Sequence, residues 1–133
     1  MKTAIVFGAT SGIGRALTEI LIQEGYQVAI TGRRLEKLEE IKDQYPNQVV
    51  IYQNDIQQTE QVAEVFGQIV KKFEKIDLVI QSSGVGYINS KLEWKKEHET
   101  IKTNVIGVTR LYDLAYNQFL SLIHISEPTR LAT

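Results

Sequence analysis

A continuous β-forming run, TAIVF at residues 3–7, passes directly into GATSGIG at residues 8–14. No other feature limits the possible folds so strongly. A run without polar alternation, closed by glycine, suits a strand buried on both faces. From Ile13 the pattern changes period: apolar residues recur at 13, 16, 17, 20 and 21 and stop at Gly25, which predicts an amphipathic helix. A strand, a glycine-rich turn and a helix in that order open a βαβ unit, whose sheet must be covered on both sides.

The rest of the chain repeats this alternation. QVAIT (27–31) predicts a second strand, ended by Gly32. LEKLEEIKDQY (35–45) predicts a helix with Leu35, Leu38 and Ile41 inward, stopped by Pro46. QVVIYQ (48–53) is a third strand. Val62, Val65, Phe66, Ile69, Val70 and Phe73 form a helical stripe with Thr59 as its expected N-cap. DLVIQS (77–82) is a fourth strand. The charged stretch KLEWKKEHE (91–99) leads into a long helix expected to bury Ile101, Val105, Val108, Leu111, Tyr112, Ala115 and Phe119. This order predicts a doubly wound parallel α/β sheet of Rossmann type.

Composition bounds the partners. The formal net charge is −1 and the pI near 6.1, so no nucleic acid or anionic membrane is expected as a partner. The chain has no Cys, which excludes disulfides, thiolate metal sites and thiol nucleophiles, and no metal site is expected. No apolar run approaches the ~20 residues that span a bilayer. A cytoplasmic protein is expected.

The first loop has the chemistry of an anion cradle. Gly8 allows a sharp exit from the strand. Gly12 and Gly14 remove side chains where a phosphate approaches the backbone and where the helix packs closely. The helix N-terminus presents free N–H groups, and Thr10 and Ser11 add hydroxyls. The spacing is Gly-x-x-x-Gly-x-Gly; counted from Gly12, the general dinucleotide fingerprint would need glycine where Leu17 stands. At the end of the second strand, about 20 residues past the loop, a carboxylate would read the ribose 2′-OH of NAD. Here that place is Gly32, followed by Arg33 and Arg34, a pair suited to grip a 2′-phosphate. NADP is therefore favoured. The alternatives are a glycine turn without a ligand and two solvated arginines.

These motifs resemble the short-chain dehydrogenase/reductase family, over residues up to about 119, with Phe7 where that family usually has Thr. The resemblance implies hydride transfer between the nicotinamide and a small carbonyl or alcohol substrate. It implies that Gly8, Thr10, Ser11, Gly12, Ile13, Gly14, Arg33 and Arg34 hold the phosphates. Asp55 and Ile56 would hold the adenine, and Ser83 and Gly84 the ribose side, with Gln81-Ser82-Ser83-Gly84 replacing the usual Asn-Asn-Ala-Gly. Asn104 would be the helix Asn of the catalytic network, and its place among apolar residues predicts burial. Family members often pair through the long helix, here 98–119, so a homo-oligomer is implied for the parent protein.

The family's catalytic Ser and Tyr-x-x-x-Lys belong on the next strand and helix. Tyr87-Ile-Asn-Ser-Lys91 has the spacing but precedes Asn104, so Tyr87 reads as a lid residue and Lys91 as a surface charge. The resemblance thus implies that the sheet is truncated after the fourth strand and the helix that follows it. Residues 1–119 then form an incomplete dinucleotide-binding domain, expected to be inactive alone. Residues 120–133 read as a non-native tail, because LSLIHISEPTR (120–130) is also the in-frame translation of a transposon-end adapter used in sequencing. Two other readings stay open: a non-catalytic NADP-binding sensor or regulatory module, and a half-domain with no stable fold.

Overall fold

A computed structural model describes residues 1–10, 12–84 and 89–126, of which 122–126 are described by backbone only. Four parallel strands, β1 (Thr3–Phe7), β2 (Gln27–Gly32), β3 (Val49–Gln53) and β4 (Leu78–Gln81), lie in the order β3-β2-β1-β4. Between them run α1 (Gly12–Gln23), α2 (Leu35–Gln44) and α3 (Thr59–Phe73). After β4 come α4 (Trp94–Ile101), a π-helical turn (Lys102–Gly107) and α5 (Val108–Ser126). β1 pairs with β2 from Thr3–Gln27 to Phe7–Thr31 and with β4 from Ala4–Leu78 to Phe7–Gln81. The chain order reverses at β1, so a crevice opens between the ends of β1 and β4.

Alternation within each strand divides the core into two layers. Ile5 and Phe7 of β1, with Ala29 of β2, face Val62, Val65, Phe66 and Ile69 of α3 and Leu111 and Ala115 of α5. Ala4 and Val6, with Val28 and Ile30, face Leu21 and Ile22 of α1 and Leu38 and Ile41 of α2. All five β1 residues are buried. Each large apolar side chain so buried contributes about 1.5–3 kcal/mol. The expected strand buried on both faces is therefore what forms.

Several faces differ from the expected ones. In α1 the buried residues are Gly14, Thr18, Leu21 and Ile22, while Ile13 and Ile20 are 74% and 53% exposed. The helix is turned by its own start, because Gly14 must lie against the first loop. Leu35 is half out of the core. Thr59 is the first residue of α3 rather than its cap; Gln58 holds the cap position with no side-chain hydrogen bond.

The largest difference lies at the π turn. The buried stripe is Thr103, Gly107, Leu111 and Ala115, whereas Ile101, Val105 and Tyr112 are exposed. A π turn takes in more residues than an α turn, so Ile101 before it and Val105 within it are rotated out of the phase that α-helical spacing predicts, while Tyr112, after it, is turned outward beside the buried Leu111. Gly107 fits because a Cβ there would overlap the carbonyl oxygen of Ile56. α5 also continues beyond Phe119 to Ser126, past the boundary expected for the last helix.

The N-terminal edge of the sheet is tied by one carboxylate. Thr3 N donates to Asp77 Oδ2 at 2.8 Å, Asp77 N donates to Thr3 O at 3.0 Å, and Lys75 Nζ lies 3.2 Å from Asp77 Oδ1. The Thr3 N–H, and after it the Lys75 ammonium, hold the Asp77 carboxyl below its ordinary value, against the opposing effect of burial. A folded-state value below the unfolded one stabilises the fold above the ordinary carboxylate range. That stability is lost as pH falls through the folded value. Asp77→Asn keeps an acceptor but removes the charge. It should lower unfolding stability near neutral pH by about 1 kcal/mol. Denaturant titrations should show the gap to wild type closing in acid; a gap that does not change with pH would refute the assignment.

Candidate functional site

Because the strands are parallel, all their following loops meet at one end of the sheet. A cleft there is lined by Gly8 and Thr10 after β1 and by Gly32, Arg33 and Arg34 after β2. Asn54, Asp55 and Ile56 line it after β3, Ser82, Ser83 and Gly84 after β4, and Thr103 from the π turn.

Close packing makes the first loop a backbone cradle. Gly8 has φ +85°, and a Cβ on it would stand 2.6 Å from the Ser83 N and 2.8 Å from Ser83 Oγ. A Cβ on Gly14 would overlap the Gly8 carbonyl oxygen and lie 3.1 Å from Ser82 Cβ. The loop, the start of α1 and the end of β4 thus approach more closely than side chains allow. The N–H groups of Gly8 and Ala9 both donate to Thr31 O at 3.1 Å, tying the loop to the end of β2.

The second loop brings cations to the same wall. Arg34 stands at the N-cap of α2, and its Nη2 donates to Thr10 Oγ1 at 3.1 Å. The Arg33 carbonyl accepts from Gln53 Nε2 at 3.0 Å. After β3, Asn54 N donates to Gly32 O at 2.8 Å, and Gln57 N donates to Asp55 Oδ1 at 3.0 Å. Asn54 is 4% exposed, and its Oδ1 is buried without a protein hydrogen bond. Gln57 Nε2 reaches Thr103 Oγ1 at 2.7 Å, joining this loop to the π turn. After β4, Gln81 Nε2 donates to the Ser83 carbonyl.

The structure brings Gly8, Thr10, Arg33, Arg34, Asp55, Ile56, Ser83 and Gly84 to one cleft. It does not bring Gly12, Ile13 or Gly14 to the wall of that cleft. Gly14 is used in packing, and Ile13 points outward. Asn104 is exposed rather than buried, a consequence of the π turn, and does not line the cleft. Its Oδ1 lies 3.5 Å from where a Gly84 Cβ would stand. Ser11 and Tyr87 lie outside the described residues, and Lys91 is exposed. The sequence reading did not place Asn54, Ser82 or Thr103 in the site. An amide directly after a strand was the available signal for Asn54; Thr103 carried none, since only the π turn points it inward.

Among the described residues no cluster of His, Asp and Glu is placed to hold a metal, and no helix is long and apolar enough to cross a membrane.

Residues 2–124 match the family model for short chain dehydrogenase. The chain is 29% identical over 112 residues to the NADP-dependent 3-hydroxy acid dehydrogenase of Escherichia coli strain K12, covering 80% of this chain and 45% of that protein. It is 33% identical to the 15-hydroxyprostaglandin dehydrogenase [NAD(+)] of Bos taurus, covering 80% of this chain and 40% of the other. Its fold matches an alcohol dehydrogenase from the archaeon Thermococcus sibiricus complexed with 5-hydroxy-NADP at a TM-score of 0.83 and 30% identity, over 89% of this chain and 53% of the other. The chain spans about half the length of the curated relatives it matches.

The close packing of the loop makes a direct test. Gly14→Ala should destabilise the fold by about 3 kcal/mol, because neither backbone can retreat. Gly67→Ala, where a Cβ meets nothing within 4 Å on α3, should be neutral or stabilising by up to about 1 kcal/mol. Thermal melts of the two variants decide it: equal melting would mean that the loop is not closely packed.

Proposed function

Since this chain belongs to the short-chain dehydrogenase family, we propose that it is the cofactor-binding half of an NADP-dependent oxidoreductase acting on a small carbonyl or alcohol. The observation that carries this reading is the pairing of Arg33 and Arg34 with the glycine loop on one cleft, where a carboxylate at position 32 is absent. NADP-dependent relatives support it, as does the fold shared with the enzyme complexed with 5-hydroxy-NADP.

The residues fit the cofactor. Gly8 and Thr10 line the cleft where a phosphate would lie, and the positive dipole end of α1 begins two residues after Thr10. The arginines neutralise a 2′-phosphate, with two parallel hydrogen bonds available from each guanidinium. Asp55 and Ile56 border the adenine, and Ser83 and Gly84 the ribose next to the nicotinamide. When bound, NADPH supplies a hydride to the substrate carbon. Asn104, beside Gly84, belongs to the proton-relay side of the site. The Ser and the Tyr-x-x-x-Lys that hold and move the proton at the substrate oxygen are assigned to the parent protein beyond residue 119. In this reading residues 120–133 are adapter-derived, supported by the eleven-residue correspondence, and the parent is a cytoplasmic homo-oligomer. Sequencing the source DNA past the codon for Phe119 tests both assignments.

A second reading, a non-catalytic NADP-binding module, is favoured by Gln81, Ser82 and Ser83 where the family has Asn-Asn-Ala. A parent gene without Ser and Tyr-x-x-x-Lys would establish it.

Calorimetric titration should show NADP bound in preference to NAD. Arg33→Ala/Arg34→Ala should weaken NADP binding by about a hundredfold, the loss of about two charged hydrogen bonds, and leave NAD binding unchanged. Equal loss for both nucleotides would count against a 2′-phosphate site. The chain should oxidise no NADPH with carbonyl substrates. Turnover that Tyr87→Phe abolishes would overturn the assignment of catalysis to residues beyond 119.

A further inference from the structure

Gly32 ends β2 with a negative φ, unlike Gly8, Gly12 and Gly25, so its backbone would accept a side chain. Space forbids one. A Cβ on Gly32 would lie 2.6 Å from Thr10 Cγ2, while its next neighbour, Leu38 Cδ2, would be in ordinary contact at 3.5 Å. Thr10 is held from both sides. Behind it, Gly8 and Ala9 are bonded to Thr31 O. In front, its hydroxyl accepts from Arg34 Nη2 at 3.1 Å.

We propose that Thr10 is the residue that sets the nucleotide preference of this site, through opposite ends of one side chain. Its methyl fills the volume that an acidic side chain at position 32 would need to reach a ribose 2′-OH. Its hydroxyl holds the Arg34 guanidinium at the cleft, where a 2′-phosphate is read. The inference rests on the NADP reading of the cleft and goes further, because it makes preference depend on a residue of the first loop as well as on the second. A carboxylate placed at 32 alone does not convert the site to NAD, since Thr10 blocks it.

The test is equilibrium binding of NADP and NAD by the full chain and five variants, each checked by circular dichroism. Thr10→Val keeps the volume and loses the hydroxyl. It should bind NADP about tenfold more weakly and NAD as before, the loss of about one hydrogen bond to a charged group. Gly32→Asp should lose NADP and gain no NAD affinity. Thr10→Ser/Gly32→Asp, which removes only the obstructing methyl, should bind NAD at least about tenfold better than Gly32→Asp. Thr10→Val/Arg34→Ala should bind NADP no more weakly than Arg34→Ala within the same host, showing that the hydroxyl acts through the arginine. NADP affinity unchanged in Thr10→Val overturns the proposal whether or not the Asp variants fold, as does NAD binding by Gly32→Asp equal to that of the double variant. A wild-type chain that binds neither nucleotide overturns the NADP reading itself, and this inference with it.

Discussion

Two-sided burial of β1 is the constraint on which the rest of the structure depends. A strand with all five residues buried, and hydrogen-bonded partners on both edges, cannot lie at the border of a sheet. Helices must cover both of its faces, and the connections that supply them make the neighbouring strands parallel. Parallel strands end on the same side, so four loops from distant parts of the chain gather at one cleft. The glycine loop follows β1 directly and therefore occupies the centre of that gathering.

The loop is shaped by proximity more than by chain flexibility. Gly8 lies against Ser83, Gly14 against Gly8, and Thr10 against Gly32. The first and last of these contacts join segments far apart in sequence, and the second closes the loop on itself. This closeness explains why Gly14 belongs to the motif while standing off the wall of the cleft, whereas Gly12, which a Cβ would not crowd, belongs to it through its φ of +59°. They permit the geometry in which Gly8 and Thr10 meet the ligand side. Arg34 extends the same logic, reaching from the N-cap of α2 back to Thr10, so that the loops after β1 and β2 are one bonded unit.

The π turn does comparable work on the other side. It rotates α4 relative to α5, turning Thr103 toward the cleft and leaving Asn104 exposed beside Gly84. Gln57 bonds to Thr103, so the loop after β3 is joined to the π turn by one side-chain hydrogen bond. The position of Asn104 is therefore set by an irregularity in the helix rather than by its apolar stripe.

Local pattern was enough for the elements in the front of the chain. Continuous apolar runs marked the strands, glycine and proline marked their ends, and the stripe of α3 was read correctly from Val62 to Phe73. The same pattern, joined to the spacing of Gly8, Gly12 and Gly14 and to Arg33 and Arg34, determined the sheet type and the place of the cleft. What it did not determine was rotation. Ile13, Leu35, Ile101, Val105 and Tyr112 carry apolar side chains, but packing turned other residues inward. A helix's phase is decided by its closest tertiary contact, such as Gly14 on Gly8 or Gly107 on Ile56, and by any irregular turn within it. Asn54 and Thr103 entered the site for the same reason. Periodicity along a chain reports which residues can be buried together; only the approach of distant backbones decides which of them are.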